Sequence, residues 1–185
     1  MKRKSAVLNI VLTAMFIAIG LVLPLATGQL KAIGNMLLPM HIPVMVCGFV
    51  LGWKYGLICG AVTPLLRTLI FGMPPFPYSA VPMAFELAAY GLAAGLLFRL
   101  FAKFIKSDYV NALVSLIASM LFGRVIWAVV KWVFVFFGKP FGLEAFIAGA
   151  FVDAWPGILI QLILIPALVV LLIKAGIVVG YRKKK

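Results

Sequence analysis

The sequence predicts an all-α integral membrane protein: a bundle of six transmembrane helices with both termini cytoplasmic. Three observations carry this. Of 185 residues, 65% are hydrophobic and 11% are charged, against about 25% charged in an average soluble domain. The mean hydropathy is +1.21. The apolar residues fall in long runs, and a spanning helix needs about 20 of them. A soluble globule of this length lacks the polar residues for its coat, and disorder requires low hydrophobicity. One membrane domain accounts for residues 1–185.

The first span is expected at about residues 6–26. Met1-Lys2-Arg3-Lys4 ahead of it resembles the start of a signal peptide, but the run is long for one, so it reads as a retained span. Polar residues Gln29, Lys31 and Asn35 then fill a loop, Thr27 to Leu38. The second span, 39–53, opens with Pro39 and Pro43 and is short, so its outer end is expected to be irregular. Irregular backbone at membrane depth must be covered by protein or face water. The third span is 55–71, and Gly72-Met73-Pro74-Pro75-Phe76-Pro77 turns the chain. The fourth span is 79–101, followed by a polar loop with Lys103, Lys106 and Asp108. The fifth is 110–137. Gly138 to Gly142 forms another turn, and the sixth span is 145–173, where Pro156 and Pro166 are expected to kink the helix.

Seventeen Lys and Arg against four acidic residues give a formal charge of +13. In an apolar chain this excess anchors and orients rather than binding nucleic acid. Lys2, Arg3, Lys4, Lys54, Arg99, Lys103, Lys106 and Arg182 to Lys185 fall on one side; Lys31 and Lys139 fall on the other. The positive-inside rule then places both termini in the cytoplasm. Cys47 and Cys59 lie in apolar runs and read as packing residues. Small residues recur at helical spacing: Gly48, Gly52, Gly56 and Gly60; Gly91 and Gly95; Ala14 and Ala18. Such spacing permits close helix approach, and for the glycines internal packing is the favoured reading.

Charges inside spans are costly and mark candidate functional sites. At about 1.5 Å per residue, Arg67, Glu86, Arg124, Lys131 and Asp153 from four helices gather at one level in the outer half. No comparable group of charges lies in the inner half, which reads as apolar. Arg124, Trp127 and Lys131 share a helix face, and Glu86 and Tyr90 are i, i+4 neighbours. Asn35 and His41 come from the segment above. The three cations exceed the two anions by one, which suits a small anion such as a carboxylate. The plainer alternative is an internal ion-pair network with one solvated cation. For His41, capping of the second span competes with ligand contact, and for Trp127 packing competes with stacking. There is no catalytic set, Walker A loop or metal motif, so no enzyme activity and no cofactor are expected. A channel would need polar groups through the full thickness.

With its size, spans and the Ala14-Met15-Phe16-Ile17-Ala18 pattern, the chain resembles the substrate-binding S component of energy-coupling factor (ECF) transporters. The stretches Leu38-Pro39-Met40-His41-Ile42-Pro43-Val44, Gly52-Trp53-Lys54-Tyr55-Gly56 and Gly72-Met73-Pro74-Pro75 resemble a branch that includes vitamin binders, with the pantothenate type as leading match. The resemblance implies capture of a vitamin from outside and docking through Ala14 and Ala18 on a membrane coupling subunit that works with two cytoplasmic ATPases. It also implies a toppling motion in the plasma membrane. Pyridoxine, folate, riboflavin or cobalamin are alternative substrates. A lipid-modifying membrane enzyme and a membrane scaffold are the alternatives of other classes.

Overall fold

The computed structural model describes residues 6–26, 37–138, 142–152 and 154–179. The described residues are helical: α1 Ala6–Ala26, α2 His41–Leu51, α3 Trp53–Phe71, α4 Ala80–Phe101, α5 Asp108–Val133, α6 Leu143–Ile147 and α7 Trp155–Lys174. A 3₁₀ turn, Phe134–Phe137, extends α5, and a π-helical stretch, Ala148–Val152, links α6 to α7. Five helices are long and apolar enough to cross a membrane. Together they make a multi-pass membrane protein.

The expected second span departs from the others. Helix α2 has 11 residues, roughly 16 Å of rise against a hydrocarbon core of about 30 Å. Every residue except Ile42 is buried. It lies at the centre, packed on α1, α3, α4 and α7. A short helix is tolerated at that depth because protein surrounds it. Gly52 ends α2 at φ 104°, a conformation costly for any residue with a Cβ, and α3 begins at Trp53.

The expected sixth span is also shorter than 145–173. The chain passes through α6 and the π-helical stretch first, and the long helix starts at Trp155. Pro156 stands in the first turn of α7, where its missing N–H is an orphan donor anyway, so it starts the helix rather than kinking it. Pro166 lies inside α7, which is continuous to Lys174.

Helix α4 is the hub, packed on α3, α5 and α2. The glycines explain how close these contacts are. A Cβ on Gly48 or Gly56 would overlap the carbonyl of Gly91, and one on Gly91 would overlap that of Gly56. A Cβ on Gly60 would meet the carbonyl of Leu87, and one on Gly95 the backbone of Trp53. The regular four-residue spacing therefore builds an internal seam of backbone against backbone. Dispersion and polar contacts drive such packing where lipid removes the hydrophobic gain.

The half of the bundle around Arg99 is more polar inside than an apolar reading of the sequence allows. On α5, Asn111, Ser115 and Ser119 are all fully buried. Asn111 Nδ2 donates to the Phe98 carbonyl at 3.0 Å, and Ser119 Oγ to the Ser115 carbonyl at 2.6 Å. Arg99 donates to the carbonyls of Gly95 and Val179, each at 2.7 Å. The Val179 N–H bonds the Val50 carbonyl at 2.7 Å, which ties the end of the described chain to α2.

Candidate functional site

At the opposite end of α4, one turn and a half into the helix, Glu86 is 2% exposed. Its Oε1 accepts from Tyr90 Oη at 2.8 Å and from Arg124 Nη1 at 2.8 Å. The Tyr90 contact is the i, i+4 pair on one helix face. The Arg124 contact joins α4 to α5. Gly123 makes it possible, because a Cβ there would run into the Tyr90 ring. His41, at the first position of α2, brings Nε2 to 3.9 Å from the same Oε1, beyond hydrogen-bond distance. Its ring lies 5.4 Å from that of Tyr90. Three residues from three helices thus converge on one carboxylate oxygen.

Burial makes this arrangement costly and directional. A buried carboxylate needs an opposite charge and hydrogen bonds, and removing one partner costs about 3–5 kcal/mol. Arg124 supplies the charge and Tyr90 a second donor. The pair is neutral as a unit. Arg124 Nη2 and both ring nitrogens of His41 are buried without a hydrogen-bond partner, so the carboxylate oxygen is satisfied while its neighbours keep unpartnered atoms.

Lys131 lies two turns beyond Arg124 on α5. Its Nζ donates to the Tyr78 carbonyl at 3.0 Å and sits 5.8 Å from the Trp127 ring. Trp127 in turn packs on Phe146 of α6 with ring centroids 6.2 Å apart and faces Gly149 of the π-helical stretch. These residues line the wall between α5 and the α6–α7 connection. Arg67 takes a different direction. Its Nη1 donates to the Leu21 carbonyl of α1 at 3.1 Å, and its guanidinium lies 5.6 Å from the Phe71 ring. Among the described residues Glu86 pairs with the charge of Arg124, and the His41 ring is the other basic group beside it. Asn35 and Asp153 lie outside the described residues, as does most of the loop from Thr27 to Leu38.

Gln161 escapes a search for charges. It is completely buried on α7, with Nε2 3.5 Å from the Leu38 carbonyl and Oε1 unpartnered. A lone amide within Ile and Leu was visible in the sequence as a polar group at membrane depth. Leu38 itself has φ 48°, an uncommon backbone state for a residue with a Cβ, and its carbonyl also receives the His41 N–H at 3.0 Å.

Ala14 and Ala18 are exposed, next to exposed Val11, Met15, Ile19 and Val22 on α1. The opposite side of α1 is buried through Asn9, Thr13 and Gly20. The two alanines therefore take no part in packing the bundle. A comparison with protein families matches residues 8–180 to "ECF transporter, substrate-specific component". Searches of curated proteins and of solved structures return no match. Covering nearly the whole chain, the family match settles the class: this chain belongs to the ECF transporter substrate-specific components, which are transport subunits and not enzymes.

Proposed function

We propose that the chain is the high-affinity capture subunit of an ATP-driven vitamin importer of the cell membrane, and that its substrate is pantothenate. The family supports the capture role. The observation that carries the substrate is on α5. Arg124 keeps a buried Nη2 without a partner while Nη1 holds Glu86. Lys131, on the same face, is held by a neutral carbonyl. With Glu86 already engaged, a single carboxylate entering from the His41 end meets two cations on one helix. Charge-assisted bonds of this kind are the strong ones. His41, Glu86, Tyr90, Arg124, Trp127 and Lys131 form the described part of the proposed site. Asn35 and Asp153 join it by their depth in the sequence. Arg67 serves it indirectly, by tying α1 to α3.

In this reading the His41 end faces outward and both termini are cytoplasmic. The exposed Ala14 and Ala18 face docks on a membrane coupling subunit that works with two ATPases, and the loaded subunit topples to release its cargo inward. The balanced Arg124–Glu86 pair favours one alternative: a neutral or cationic vitamin of the pyridoxine type, with the pair as a fixed polar wall. Binding by the purified protein in detergent tests both, by thermal shift against pantothenate, pyridoxine, riboflavin, folate and cobalamin. Pantothenate is expected to stabilise the protein, and its neutral amide analogue to bind poorly. Equal stabilisation by acid and amide, or by pyridoxine alone, selects the alternative.

A further inference from the structure

The residues that carry the unpartnered buried polar atoms at the His41 end are linked through two shared acceptors, Glu86 Oε1 and the Leu38 carbonyl. The atoms are Nδ1 and Nε2 of His41, Nη2 of Arg124 and Oε1 of Gln161. The three residues are 2%, 6% and 0% exposed. His41 and Arg124 converge on Glu86 Oε1 at 3.9 and 2.8 Å. Gln161 Nε2 reaches the Leu38 carbonyl at 3.5 Å, and the same carbonyl accepts the backbone N–H of His41 at 3.0 Å. Buried polar atoms are normally satisfied, and a group of orphans calls for an explanation. Here their side chains come from α2, α5 and α7, so no local backbone accident produces them together.

Their chemistry defines what would satisfy them. Arg124 Nη2 donates, a neutral imidazole offers one donor and one acceptor, and Gln161 Oε1 accepts. A carboxylate fits at Arg124 but is repelled at Gln161 Oε1. That oxygen requires a hydroxyl or amide N–H. We infer that Gln161, with His41, determines specificity by hydrogen-bonding hydroxyl or amide groups on the uncharged part of the substrate, while the α5 cations take its charge. This deepens the proposed function and rests on its placement of the substrate site.

If Gln161 serves the ligand, it contributes little to the empty protein. Leucine or methionine would suit an apolar helix and would remove an orphan. Ligand-free Gln161→Leu and Gln161→Met proteins are expected to melt at or above the wild-type temperature. A fall of more than about 4 °C in both, on the order of the shift expected from a lost structural contact, would make Gln161 a structural residue and overturn the inference. Titration of the five vitamins named above gives the second readout. For whichever the wild type binds, both variants are expected to bind at least about tenfold more weakly. Unchanged affinity overturns the inference and leaves the capture reading standing. Binding of pyridoxine in place of pantothenate, still lost in the variants, removes the pantothenate reading and keeps this one. If the wild type binds none of the five, the vitamin reading fails and the melting comparison alone decides.

Discussion

The two halves of α4 solve the problem of polar groups in a membrane in opposite ways. Around Arg99, the guanidinium is bonded to two carbonyls, and Asn111 and Ser119 are each tied to backbone. The glycine seam then brings backbones into direct contact. Around Glu86, the charge is paired, but His41, Arg124 and Gln161 keep buried atoms with no partner. Elsewhere Asn9 of α1 also has an unpartnered oxygen, but it stands apart from a charge cluster. The difference teaches where each half spends its polar atoms. The Arg99 half uses them for rigidity. The Glu86 half leaves them unpartnered, at a cost in stability.

The largest effect is expected from filling the seam. Gly91→Leu places a side chain where α3 backbone lies, and α2 and α3 cannot both stay on α4. Overpacking of a well-fitted core costs about 1–3 kcal/mol even when neighbours yield, and backbone yields least. The variant is expected to give no monodisperse protein in gel filtration, and Gly91→Ala to melt several degrees lower. Wild-type melting for Gly91→Ala would mean that the helices sit further apart than described.

Next comes the charge pair. Arg124→Met leaves Glu86 buried and unpaired, a loss of about 3–5 kcal/mol. Arg124→Met/Glu86→Gln is expected to recover much of the melting temperature without recovering binding. Recovery of both would move the pair out of the site and into the scaffold.

Lys131→Met should separate binding from stability. Lys131 is only partly buried and holds one carbonyl, so melting is expected to stay within a degree or two. Affinity for pantothenate is expected to fall about tenfold, near 1.4 kcal/mol. A matching loss in Lys174→Met, at the other end of the bundle, would point to a general field rather than a contact.

The smallest effect on the isolated protein is expected from Ala14→Trp or Ala18→Trp. Both positions are exposed, so melting and ligand binding should be unchanged while cellular uptake is lost through blocked close helix approach. Loss of binding in the purified variants would contradict the docking assignment.

How much of this was legible follows from what a sequence encodes. Hydropathy fixes depth, so the helices around 6–26, 55–71 and 79–101 and the common level of Glu86 and Arg124 were readable. The i, i+4 rule made the Glu86–Tyr90 contact readable too. Depth says nothing about which way a side chain turns around its helix. Arg67, expected at the level of Glu86, stands seven residues beyond Gly60, the residue that meets Leu87, and bonds the Leu21 carbonyl of α1. The polar Asn111, Ser115 and Ser119 carry no charge, so a reading keyed to charges passed over them, as it did Gln161. The interruption before α7 was hidden because the π-helical stretch Ala148–Val152 is as apolar as a span. The short α2 was foreshadowed by Pro39 and Pro43, but its end at Gly52 and its burial depend on packing.

The central claim is that the unsatisfied atoms near Glu86 await an anionic vitamin. Calorimetric titration of the purified wild type and Arg124→Met with pantothenate and with its neutral amide analogue tests it most directly. The wild type is expected to bind the acid at least about tenfold more tightly than the amide, and Arg124→Met to lose two to three orders of magnitude for the acid, the equivalent of about 3–5 kcal/mol. Equal affinity for acid and amide in the wild type, together with undiminished binding in Arg124→Met, would contradict it.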